Sequence, residues 1–448
     1  MVRGCQQLEE AIFTHKIPRL TISLPSAKQN RLALWSRTIQ QRFPRLHGGG
    51  KLEVRCSSED LGHDSRVTAI AASPDGRHFA TGAYDGTIII WSTIAYPQKI
   101  LIEISSSFRG ISALAFSDTG DFLAAIHTTD EHDVLTVWRV VDGSQLISTE
   151  DIKQTRIRSC LWWRDDLDCI HLSALAVPSC PDEVSEPLPV QLLFTSIHDT
   201  WNLTTSLMPL KSAILAESYE LYPSDGQVYA VLSSDGRLAA VALDGYSGLG
   251  CWVWHTADPT AMHRLTITSY GTPSSATFVG DTLVIGFKDG TIRWWDLSSF
   301  PMATTGPRGT LTVRDNGQGV LALSVSSAGS FLAAWNYSNT SVTLVRRYCG
   351  DFFPHISLQG HTDWVNAACF SPCERYIATA SNDATVRLWS VMDGSLIWRF
   401  TDHSHEVMHV VFSGDGSTLA SADCKGQVVL HPVSWFIRLD VPCAPLTD

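Results

Sequence analysis

The segment His405-Glu-Val-Met-His409 places two imidazoles four residues apart around a carboxylate. On a helix that spacing turns both histidines to one face, where they can hold a zinc ion while the glutamate acts as the general base of a peptidase. The residues that follow, Val410, Val411 and Phe412, read instead as a strand. In an extended chain rising roughly 3.3 Å per residue the two imidazoles stand about 13 Å apart and cannot share a metal. Neither a metal site nor peptidase chemistry is expected. A second chemistry is suggested by His63, Thr81 and Asp85, and again by His361, Thr379 and Asp383, which match the hydroxyl, imidazole and carboxylate of a nucleophilic triad in composition.

Other reaction classes lack their residues. There is no phosphate-binding glycine loop with its lysine, no Gly-x-Gly-x-x-Gly after a strand, and no Gly-x-Ser-x-Gly elbow. The 11 cysteines show no Cys-x-x-Cys spacing, which favours buried thiols in a reducing compartment over a zinc ribbon or a disulfide framework. The opening residues lack the apolar core of a signal peptide, and no run reaches the roughly 18 apolar residues of a membrane span. Asn202, Asn336 and Asn339 match the glycosylation acceptor pattern, as chance allows in a chain rich in serine and threonine. A cytoplasmic or nuclear protein is expected, with no cofactor and no small-molecule substrate.

The elements that position these residues recur along the chain. Gly360-His361 leads through Trp364 and Ser371-Pro372 to Trp389, and Gly62-His63 leads through Ser73-Pro74-Asp75-Gly76 to Trp91. Strand ends with the same closing tryptophan fall at Trp138, Trp254 and Trp295, and His431 takes that place in the last unit. The long gaps from 138 to 254 and from 295 to 389 each have room for a further unit, at 157–207 and 317–347, where β-branched runs alternate with Gly, Asp, Asn and Ser. A unit of about 40 to 45 residues opened by Gly-His and closed by Trp resembles a WD40 repeat. The resemblance implies an all-β fold, a WD40-type β-propeller of eight blades, with seven as the alternative count.

In that family a His, a Ser or Thr, an Asp and the closing Trp form a buried network that ties each blade together. The resemblance therefore assigns His63, Thr81, Asp85 and Trp91, and His361, Thr379, Asp383 and Trp389, a structural role in place of a catalytic one. The fifth unit keeps only Asp289 and Trp295. In the last, His403 and Ser421 remain while Lys425 and His431 stand where Asp and Trp are expected, so its network should be incomplete. Eight-bladed quinone-dependent dehydrogenases share the architecture, but their adjacent cysteine pair is absent here.

Residues 1–50 form a separate arm. Residues 1–55 carry a net charge of +7 and the remainder −19. Ser26 and Gln29 have the form of a capping box, and Leu32, Trp35, Ile39 and Phe43 then line one helical face until Pro44 ends it. One amphipathic helix is expected, docked on the acidic body or reaching nucleic acid, an anionic membrane or a partner. The propeller is expected over 51–441 and a tail over 442–448. Residues 51–56 and 435–441 both read as strands able to complete the last blade and close the ring. The acidic, proline-rich segment 178–189 should be a solvated loop in the third unit.

The function these features imply is a non-catalytic scaffold that binds other proteins or peptides through the propeller rim. Carried over from the family, the rim comprises Arg66, Thr68, Tyr84, Lys288, Trp364, Asn366, Asn382, Glu406 and Met408. The alternative is a factor recruited to nucleic acid or membrane by the basic arm.

Overall fold

A computed structural model describes residues 62–93, 100–105, 109–129, 132–149, 155–164, 170–178, 190–197, 200–207, 228–243, 250–256, 258–267, 271–300, 306–313, 319–336 and 340–433. The basic arm, the helix expected in it, both segments offered for ring closure, and most of the expected acidic loop lie outside them. Among the described residues every regular element is a strand, and no helix is long and apolar enough to cross a membrane.

Among the described residues the strands form eight antiparallel sheets in chain order, seven of four strands and an eighth of three. The inner strands run Val67–Ala72, Arg109–Phe116, Thr155–Arg164, Val228–Leu232, Pro273–Val279, Ala322–Val325, Val365–Phe370 and Val407–Phe412. Each lies beside the next, and the last lies beside the first.

Local chemistry sets the turns. At the end of the first inner strand Ser73 Oγ donates to Asp75 Oδ1 (2.5 Å) and accepts from the His78 amide, and Gly76 takes a positive φ of 73°. Ser233, Asp235 and Gly236, and Ser413, Asp415 and Gly416, repeat this arrangement. The seventh sheet departs from it. Cys373 stands at the aspartate position, and Glu374 adopts φ 57° where glycine is the usual occupant. Its carboxylate offsets that strain by accepting the Ala328 amide of the sixth sheet at 2.6 Å.

The core lies between sheets. Phe79, Ile89 and Trp91 of the first sheet pack on Ala420, Ala422 and Leu430 of the eighth. Ile88 and Ile90, whose side chains alternate to the other face, pack on Leu123 and Ala125 of the second. Comparable clusters join the second to the third sheet and run pairwise from the fourth to the eighth. Burying a side chain such as Ile90 or Leu123 is worth about 1.5 to 3 kcal/mol. A single sheet could bury only half of what it carries, so the sheets stand or fall together.

Candidate functional site

The seventh sheet holds the complete network. His361 Nε2 lies 2.7 Å from Thr379 Oγ1, Trp389 Nε1 donates to the same oxygen at 2.9 Å, and His361 Nδ1 lies 2.8 Å from Asp383 Oδ2. Burial would raise the Asp383 carboxyl, but hydrogen bonds from His361, Thr385 and the Thr362 amide outweigh it and hold the group far below the usual carboxylate range. Burial also lowers the His361 imidazole, against the pull of Asp383. Thr379 is 0% exposed and its hydroxyl is engaged on two sides. A nucleophile must reach its substrate, and this oxygen cannot.

The first sheet has the same residue types but a different connection. His63 Nε2 meets Thr81 Oγ1 at 2.7 Å, and Trp91 Nε1 donates to that oxygen at 2.8 Å. His63 Nδ1, however, faces Thr87 Oγ1 at 2.7 Å, and Thr87 donates onward to Asp85 Oδ1 at 2.6 Å. The carboxylate reaches the imidazole through a hydroxyl. In the fifth sheet Arg293 Nη2 donates to Asp289 Oδ2 at 2.7 Å while its guanidinium lies over the Phe287 ring.

The eighth sheet corrects the expectation of an incomplete network. Asp423, two residues ahead of Lys425, places Oδ2 3.2 Å from His403 Nδ1, and His403 Nε2 meets Ser421 Oγ at 2.7 Å. His431 occupies the tryptophan position with Nε2 2.8 Å from that same Ser421 oxygen. Burial, and then the neighbouring His403, hold the His431 imidazole well below its ordinary value. Asp423 aligns with Ser381 of the seventh sheet, and its carboxylate is long enough to reach the imidazole from there.

A second recurring device lies at the start of the inner strands. The ladder between the first two strands slips by one residue at Thr68, Ser274, Asn366 and Met408, and also at Ser112. Such a bulge turns the extra side chain aside. Thr68 Oγ1 donates to the Ile111 carbonyl of the second sheet (2.5 Å), Ser274 Oγ to the Val320 carbonyl of the sixth (2.5 Å), and Asn366 Nδ2 to the Val407 carbonyl of the eighth (2.9 Å). Each acceptor is at the opening of the next inner strand. Met408 has no such donor, and the next residue, His409, hydrogen-bonds the backbone of Val67 in the first sheet. His409 is thus a sheet-to-sheet tie. It belongs to the strand Val407–Phe412, and His405 sits in the bend before it, so the pair lacks the helix on which zinc binding depends. Among the described residues no group of three or more His, Cys, Asp or Glu could hold a metal ion.

The rim residues fall on the side where the inner strands begin. In the first, fifth, seventh and eighth sheets the turn after the second strand is tied back to the residue preceding the inner strand: Tyr84 N to Arg66 O (2.9 Å), Lys288 N to Thr272 O (2.9 Å), Asn382 N to Trp364 O (2.9 Å) and Cys424 N to Glu406 O (3.0 Å). Tyr84 is 67% and Trp364 50% exposed. Arg66, Lys288 and Glu406 are exposed, while Thr68, Asn366, Asn382 and Met408 are half-buried. The structure brings Arg66 to Tyr84 and gathers Trp364, Asn366, Asn382 and Met408.

Comparison with known proteins matches the family "WD domain, G-beta repeat" at residues 55–92, 353–390 and 394–431. The chain is similar to "Periodic tryptophan protein 2" of Arabidopsis thaliana, 25% identical over 51% of this chain and 23% of that protein. It is likewise similar to "Echinoderm microtubule-associated protein-like 4" of Xenopus laevis, 24% identical over 77% of this chain and 36% of that protein. "Target of rapamycin complex subunit wat1" of Schizosaccharomyces pombe is 30% identical over 33% of this chain and 43% of that protein. The chain therefore spans less than half the length of each. The crystal structure of the computationally designed Ika8 protein superposes with a TM-score of 0.55 at 18% identity, covering 83% of this chain and 98% of that one, which supports the fold alone.

Proposed function

Because this chain carries WD40 repeats on a β-propeller framework, we propose that it is a non-catalytic interaction scaffold of eight blades, at work in the cytoplasm or nucleus, with its recognition surface on the rim where the inner strands begin. Eight sheets, with the last inner strand beside the first, support the count. The observation that carries the function is a division of labour. The network side chains His63, Thr81, His361, Thr379, His403, Ser421 and Asp423 are buried in their contacts, whereas Trp364 and Tyr84 present large apolar surfaces beside the polar Asn382 and Arg66. Exposed aromatics next to hydrogen-bonding groups are what protein partners use as anchors. The similarity to a protein named as a target of rapamycin complex subunit points the same way.

Affinity purification with mass spectrometry tests this. Trp364→Ala combined with Asn382→Ala should empty most of the partner list while the thermal unfolding curve stays in place. Neutralising Arg31, Arg37 and Arg42 should have the smaller effect. A partner list untouched by the rim variant but lost with the arm variant, with binding that weakens steeply as salt rises, overturns the proposal in favour of recruitment by the basic arm.

A further inference from the structure

The orientation of two side-chain amides points to the chemistry of the partner. The Val407 carbonyl can only accept, so the group Asn366 turns toward it is Nδ2; that nitrogen also donates to Asn382 Oδ1 at 2.6 Å and lies 3.6 Å from Met408 Sδ. Both amides are thereby fixed. Among the described residues Asn366 Oδ1, an acceptor, and Asn382 Nδ2, a donor, make no hydrogen bond, and both side chains are half-buried at the rim. Sister positions offer nothing comparable: Thr68 and Ser274 spend their single hydroxyl proton on carbonyls, and Tyr84 and Lys288 stand where the seventh sheet has Asn382.

We propose that Asn366 and Asn382 read the backbone of an extended peptide, Asn366 Oδ1 accepting its N–H and Asn382 Nδ2 donating to its C=O, with the adjoining side chain laid on Trp364 and Met408. The proposal rests on the rim reading and adds the class of ligand. A residue in extended conformation presents N–H and C=O along one edge, which satisfies both unspent groups together. An anion would use the Asn382 donor only and would face Asn366 Oδ1 and the exposed Asp363 and Glu406. An ammonium group would use the acceptor only. Trp364, held through its carbonyl by the backbone N–H of Asn382, supplies the apolar wall.

Asn382→Asp provides a specific test, since the carboxylate keeps an oxygen for Asn366 Nδ2 and replaces the outward donor by an acceptor. Random linear peptides displayed on phage are selected on the full chain, and the selected sequences are synthesised with each backbone N–H methylated in turn. Asn382→Asp should weaken binding about tenfold with an unchanged unfolding midpoint, and methylation at one position should weaken binding to the unaltered chain by a similar factor. Peptides that lose affinity for Trp364→Ala but keep it for Asn382→Asp and tolerate methylation everywhere would overturn backbone reading and leave the rim reading standing. Failure to select any linear peptide would also overturn it, with the partner list of the rim double variant deciding the rim reading separately.

Discussion

Asp423 reaches His403 from a position two residues ahead of the one that carries Asp383 in the seventh sheet, with its Oδ2 3.2 Å from His403 Nδ1. The same carboxylate also accepts the amides of Lys425 and Gln427, both at Oδ1. Burial would raise its pKa, and the His403 contact together with these two amides brings it below the ordinary value instead.

Removing that carboxylate should therefore be costly. Asp423→Ala leaves a buried imidazole and two amides short of a partner, and a loss of about 1 to 3 kcal/mol is expected in urea denaturation. Lys425→Ala, at the position that aligns with Asp383, should cost much less. Equal losses would show that His403 does not depend on Asp423.

Stability should fall in mild acid. Burial lowers His127 to about 4 from an ordinary 6.5. A base whose folded pKa is depressed binds its proton first in the unfolded chain, so the native state is favoured in full above about pH 6.5 and loses that advantage as pH falls toward about 4. His409, also lowered to about 4, acts in the same window. Urea denaturation at pH 7 and pH 5 should differ by about 1 to 3 kcal/mol, and His127→Gln should narrow the difference. A pH dependence unaltered by His127→Gln would place the titrating group elsewhere.

The ties between sheets can be separated from recognition. Ser274→Ala removes a contact to the Val320 carbonyl and should cost about 1 kcal/mol of stability. Trp364→Ala, at a half-exposed site, should change stability little while abolishing partner capture. The two variants measured by thermal unfolding and by pull-down should rank oppositely in the two experiments.

His409→Ala should lower the unfolding midpoint, since it breaks the contact with Val67, and should leave the zinc content of the purified protein unchanged. One equivalent of tightly held zinc lost in this variant would mean that the segment from His405 to His409 is organised as a metal site.

Much of this was legible in the residues. Strand alternation repeats every two positions, and the Ser-x-Asp-Gly turns close on themselves within five residues, so the repeated antiparallel units and the four partners of the network in the seventh sheet lie in patterns that can be read locally. The strand character of the segment after His405 was legible for the same reason, because Val410, Val411 and Phe412 form an apolar run.

What tertiary structure decided are contacts whose partners lie far apart in sequence. Thr68 finds the Ile111 carbonyl 43 residues on, and Asn366 finds Val407 after 41, because in these sheets the opening of the next inner strand faces a bulge in the previous one. The choice between Asp423 and residue 425 as the partner of His403, and the detour through Thr87 in the first sheet, depend on which oxygen the packed strands aim at the imidazole. Residue types and spacing are the same or nearly so in these sheets. Direction is not written in them; it emerges when each sheet must bury its faces against two neighbours, and that packing sets where every buried polar atom points.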